Sequence, residues 1–122
     1  MMIKPALTIG LILLACLSSC RASGIDFSKQ NLSAQDLNQL ANCIYKVEGG
    51  AKTKYPYGVM SVKTPNLRQV CINTIRNNFQ RWNHNNSISF IDYLGNIYCP
   101  KRSDFQGNIN WRKNIKKILK NN

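Results

Sequence analysis

The sequence predicts a small, mostly α-helical single domain. Three observations carry this reading. Apolar residues recur at three- and four-residue spacing in four separate stretches after residue 32. Helix punctuation bounds those stretches, with Ser, Thr or Asn ahead of them and Gly closing the first and third. No segment offers a sustained apolar–polar alternation, so no sheet is expected. A chain of 122 residues suits one domain with one modest core.

Residues 1–19 read as an export signal rather than as part of the fold. Lys4 precedes an apolar run from Ala6 to Leu17, which is too short to span a bilayer comfortably, and the small residues Ser18 and Ser19 follow. Leu17-Ser18-Ser19-Cys20 resembles the bacterial lipobox, which implies lipidation of Cys20 as the new N-terminus. Ordinary cleavage near Ala22 or Ser23, or an uncleaved anchor, are the alternatives. A lipid on Cys20 places the chain in the bacterial cell envelope. Arg21 is not the aspartate linked to inner-membrane retention, so a Gram-negative host would send the protein to the periplasmic face of the outer membrane. Residues 20–31 read as a tether and residues 32–122 as the domain.

The first helix is expected to start at Ser33 as N-cap, with Asp36 reaching back to it. Leu37, Leu40, Ala41, Ile44 and Val47 form its apolar stripe, and Gly49 stops it. Ala51–Val62 reads as an irregular loop in which Tyr55, Tyr57 and Met60 either form a stacking wall for a ligand or pack on the core, and Gly58 allows close backbone approach. Thr64 and Pro65 are expected to open the second helix, with Leu67, Val70, Cys71, Ile75, Phe79 and Trp82 inward and Arg68, Arg76 and Arg81 wet. Ser87 is expected to cap a short third helix through Phe90, Ile91 and Leu94, stopped by Gly95. Asn96–Pro100 reads as a bend carrying Tyr98 and Cys99, and Lys101–Gly107 as polar loop. Asn108 is expected to cap a last helix with Trp111, Ile115, Ile118 and Leu119 on one side and Lys113, Lys116, Lys117 and Lys120 on the other.

Charge and residue usage narrow the chemistry. Cleavage before Cys20 leaves 103 residues and lowers the formal charge from +12 to +11, which draws a protein towards polyanions. Cys43, Cys71 and Cys99 remain; in an exported chain a Cys71–Cys99 disulfide is expected, with Cys43 as competitor. His84 is the single histidine and stands in an Asn-rich stretch, and no CxxC or HExxH occurs. No metal site, no cofactor and no histidine-dependent nucleophile is therefore expected. Glu48 is the single glutamate. It ends the first helix, at the rim of the core, where an anion opposes the helix dipole. A residue placed against a local rule points to function.

Two pieces of this stretch resemble the lysozyme-like superfamily, specifically lytic transglycosylases and goose-type lysozymes. Val47-Glu48-Gly49-Gly50 is similar to that family's helix-ending glutamate and small residues, and Tyr57-Gly58-Val59-Met60-Ser61 to its cleft-lining G-L-M-Q segment. Ser61 replaces the glutamine, and Tyr98 stands where the family draws a tyrosine from an A-Y-N-x-G motif that is missing here. The later LGNIYCP and Asn110-Trp111 pieces also look similar to small phage and bacterial members. The resemblance implies a small lysozyme-like helical fold. It implies Glu48 as general acid and base, with Tyr57, Gly58, Met60, Ser61 and Tyr98 binding substrate. The implied substrate is the peptidoglycan glycan strand, cleaved as a lytic transglycosylase or muramidase would cleave it. No specific nucleic-acid partner is expected, and the chain is expected to act as a monomer attached to the membrane by its lipid. Two other classes compete: a non-catalytic basic wall- or polyanion-binding lipoprotein, and a small inhibitor lipoprotein.

Overall fold

A computed structural model describes residues 24–58, 64–82 and 87–121. Its described part holds four α-helices, one short 3-10 turn at Gly50–Lys52 and no strand. The helices are α1 (Ala34–Val47), α2 (Leu67–Trp82), α3 (Phe90–Tyr98) and α4 (Phe105–Asn121). The chain is thus a mostly helical small domain. No helix among the described residues is long and apolar enough to cross a membrane. The expectations for Cys20, Met60, Ser61 and His84 lie outside the described residues.

Helix α1 starts as its sequence dictates. The Ser33 hydroxyl accepts the Asp36 N–H, and the Asp36 carboxylate accepts the Ser33 N–H, which satisfies two of the donors a helix start leaves open. The other three starts differ from expectation. Thr64 and Pro65 lie outside α2; the Asn66 side chain accepts the Gln69 N–H at 3.2 Å and starts the helix there. Ser89, not Ser87, caps α3 by accepting the Asp92 N–H. Helix α4 starts at Phe105, where Asp104 accepts the Gly107 N–H at 2.8 Å.

Gly95 does not end α3, and the expected bend at Asn96–Tyr98 is helical. A Cβ on Gly95 would stand 2.5 Å from Arg112 Cγ and 3.4 Å from the Trp111 ring, so the missing side chain is what lets α3 and α4 approach. Asn108 is not a cap of its own helix. It is fully buried, and its amide donates to the Gly95 and Cys99 carbonyls, so it closes the end of α3 from α4.

Each helix packs on two others: α1 on α2 and α4, and α3 on α2 and α4. The shared core is Leu37, Leu40 and Ile44 of α1, Ile75 and Phe79 of α2, Phe90 and Leu94 of α3, and Trp111 and Ile115 of α4. Phe90 lies at the centre of an aromatic group, with ring centres 5.0–5.5 Å from Phe79, Trp82 and Phe27. Ile25, Phe27 and Leu32 pack on the core, so the second half of the expected tether is docked.

The Cys71–Cys99 disulfide expected from the sequence is not formed; all three described cysteines are free thiols. Each sulfur faces another partner. Cys71 Sγ lies 3.6 Å from the Tyr98 hydroxyl, and Cys99 Sγ points at the Asp104 carbonyl. Cys43 is buried in the core on α1.

Candidate active site

Glu48 is the C-cap of α1, half in the helix, with its N–H bonded to the Ile44 carbonyl at 2.9 Å. Gly49 follows at φ 100°, in the left-handed region that ends helices and that other residues enter at a cost. The chain therefore turns sharply away from the carboxyl, and the loop brings Tyr57 and Gly58 back across it. Gly58 sits at φ 69°, and a Cβ there would lie 3.3 Å from Glu48 Oε1 and 3.2 Å from the Tyr98 ring. Backbone conformation and close approach both require glycine at this position.

The other side of the carboxyl is aromatic. Trp111 Nε1 donates to Glu48 Oε1 at 3.1 Å, reaching from α4 to the end of α1. The Tyr98 ring stacks on Trp111, 5.3 Å between centres and 11° between planes. Burial pushes the Glu48 carboxyl above the ordinary range, and the Trp111 N–H offsets part of that by favouring the charged form. The same burial raises the Tyr98 hydroxyl, with Cys71 and Glu48 adding to it, and pushes the Cys71 thiol up to about 11. Neutral Tyr98 and Cys71 thus form an uncharged floor beside the carboxyl.

A second set of contacts fixes the loop. Arg68 donates to Asn42 at 2.8 Å, to the Asn38 side chain at 2.9 Å and to the Tyr57 hydroxyl at 3.3 Å. Tyr57 also packs on Tyr45, 5.1 Å between ring centres. Tyr57 therefore anchors the segment that carries Gly58. Tyr55 stays exposed, with Lys54 over its ring.

The other four carboxylates of the chain are committed elsewhere. Asp26 accepts from Ser28, and those hydrogen bonds hold it low. Burial pushes Asp36 up, but the Ser33 N–H and Lys29 outweigh it. Burial likewise pushes Asp92 up, and Lys116, Ser89 and Arg112 outweigh that; the Lys116 contact is 2.8 Å. Asp104 caps α4. Glu48 differs from Asp26, Asp36 and Asp92 in that its surroundings favour the proton. Among the described residues, no three His, Cys, Asp or Glu side chains converge in a way that would hold a metal.

Of the residues expected at the site, the fold brings Glu48, Gly58 and Tyr98 together and places Tyr57 behind the loop. Trp111 and Arg68 were expected as a core residue and a wet residue. Their roles depend on α4 and α1 meeting α2 and the loop, which no local pattern encodes. No matching family model, curated protein or solved structure is found for this chain.

The burial of Glu48 has a consequence for stability. The folded chain holds this proton more tightly than the unfolded chain, whose carboxyl titrates near 4.5. The stability it contributes is full below that value and is lost as pH rises through the folded pKa. Glu48→Gln removes the titration and keeps the shape. Its melting temperature is expected to exceed that of the wild type at about pH 7 and to match it at about pH 4. An equal gap at both values would contradict the buried-acid description.

Proposed function

We propose that the protein cleaves the glycan strand of peptidoglycan with Glu48 as its single general acid and base, in the manner of a lytic transglycosylase. The observation that carries this reading is the Glu48 setting: a carboxyl raised by burial, held by Trp111, faced by Gly58 and Tyr98, with every other carboxylate bound up elsewhere. A glycosidic oxygen leaves as a hydroxyl only if it is protonated, and a carboxyl whose pKa is raised by burial holds a proton it can donate. Glycosidases that use water commonly need a second carboxylate. Here none is free to serve, which favours a scheme in which the substrate assists itself.

Glu48 protonates the leaving oxygen as the C1–O bond breaks, and the N-acetyl oxygen of the same sugar closes on C1. The Glu48 carboxylate then takes the proton of the 6-hydroxyl, whose oxygen replaces the N-acetyl oxygen at C1. A 1,6-anhydro sugar forms and Glu48 ends protonated, ready for the next turnover. Gly58 supplies backbone at the carboxyl. The Tyr98–Trp111 pair supplies an apolar side to the site. The lipid on Cys20 places the enzyme in the envelope, where its substrate lies.

Digestion of purified peptidoglycan, followed by turbidity and by reducing-end titration, tests the reading. Turbidity is expected to fall without a matching rise in reducing ends. A matching rise would identify a hydrolase, and no fall would remove the catalytic reading in favour of wall binding.

Trp111→Phe gives a finer test. It keeps a ring against Tyr98 and deletes the N–H that favours the carboxylate. The pKa of Glu48 is expected to rise further, so the basic limb of kcat/KM moves to higher pH. An unmoved limb would show that this hydrogen bond does not tune the acid.

A further inference from the structure

The surface where the described chain begins borders the core and shares no residue with the Glu48 site. Gly24, Ile25 and Phe27 line a shallow, mostly apolar depression of about 400 Å³ with Ile91, Leu119, Lys116 and Lys120. Lys113, Lys116, Lys117 and Lys120 are exposed; Lys113/Lys116 and Lys117/Lys120 lie three residues apart and Lys113/Lys117 and Lys116/Lys120 four, so all four fall on one side of the helix. They cover the side of α4 opposite its buried stripe of Trp111, Ile115 and Leu119. Lys116 is shared with Asp92; the other three present their charge outward.

We infer that this lysine face seats the domain on the anionic headgroups of a phospholipid bilayer and turns the Glu48 site away from it. The occupant follows from where the chain enters the domain. Only residues 21–23 separate Cys20 from Gly24, and that link spans at most about 14 Å when fully extended. A lipid on Cys20 keeps Gly24, and the lysines beside it, within that reach of the headgroups. A soluble wall polymer is under no such constraint. Basic residues this close to an anionic leaflet bind it, and the apolar depression that Lys116 and Lys120 border accepts the interfacial layer. Trp111, which holds Glu48, lies on the opposite side of α4 and about 13 Å along its axis from Lys120, at 1.5 Å per residue. The candidate site therefore faces the wall while the enzyme is anchored. The choice of headgroups as occupant and the orientation both rest on lipidation of Cys20; the orientation rests also on the reading of Glu48 given above, and the headgroup seat does not.

The test separates these. The chain from residue 20 onward, carrying Cys20→Ser so that no lipid is attached, is mixed with phosphatidylcholine vesicles with and without about one-third phosphatidylglycerol. It is expected to sediment with the anionic vesicles only. Lys113→Gln/Lys117→Gln/Lys120→Gln is expected to bind on the order of 100-fold more weakly, several-fold for each lysine. Arg81→Gln/Lys101→Gln/Arg102→Gln, which removes equal charge elsewhere, is expected to lose far less. Equal losses in the two triple variants, or displacement of the wild type from vesicles by a purified anionic wall polymer at equal charge, would overturn the seat. For orientation, the lipidated protein on anionic vesicles is acetylated at its lysines and mapped by mass spectrometry. Lys113, Lys117 and Lys120 are expected to be protected while Lys52 and Lys54 react; equal reaction would overturn it. The lysine triple variant is expected to digest isolated peptidoglycan as the wild type does. If neither digests it but the vesicle results hold, the seat stands and the catalytic reading alone fails.

Discussion

Glu48→Gln is expected to abolish glycan cleavage and leave the fold in place. The amide keeps the shape of the side chain and can still accept the Trp111 N–H, but it has no proton to give. A positioned general acid or base typically supplies about 10²–10⁴-fold. A single carboxyl that serves both proton transfers is expected to show the upper end of that range, roughly 10⁴-fold in kcat. Substrate affinity is expected to change little, since shape and hydrogen bonding are preserved. Circular dichroism and the melting curve report folding independently. Retention of wild-type turnover by the folded variant would remove Glu48 from the chemistry.

Phe90→Ala is expected to produce the largest loss of stability. Phe90 is 1% exposed and touches rings from α2, from its own helix and from the docked N-terminal segment. Truncating a buried phenylalanine costs about 3–5 kcal/mol, because the cavity only partly collapses. In a domain this small that corresponds to a fall in Tm of roughly 15–30 °C. Phe105→Ala is the matching control. Phe105 is 61% exposed at the start of α4, and a surface change of this kind stays within about 0.5 kcal/mol. Comparable losses for the two would contradict the core assignment.

The sequence made some parts of this molecule plain and hid others, for physical reasons. Helix α1 was legible because its start and stop use only local chemistry: the Ser33–Asp36 pair and the turn at Gly49. Glu48 was legible because one glutamate stood alone before two glycines. Gly95 misled because glycine ends helices and also permits close packing; the second use needs Arg112 and Trp111 from another helix to be seen. Asn108 misled for the same reason, since its amide serves the end of α3 and not its own helix. Trp111 reads as core because it is spaced with Ile115, Ile118 and Leu119 on one side of the last helix, and its N–H donor role appears only when α4 meets the end of α1. The expected Cys71–Cys99 bond rested on Cys71 lying on the inward face of the second helix and Cys99 in the bend after the third, which says nothing of where each sulfur points. In the fold, burial turns Cys71 to Tyr98, and the polar bend turns Cys99 to Asp104.

The central claim is that Glu48 is the acid that cuts the glycan strand and the base that closes the anhydro ring. Mass spectrometry of muropeptides released from purified peptidoglycan by folded wild type and folded Glu48→Gln tests it most directly. The account predicts 1,6-anhydromuropeptides from the wild type and none above background from the variant. Equal release by both proteins, or binding by both with no release from either, would contradict it.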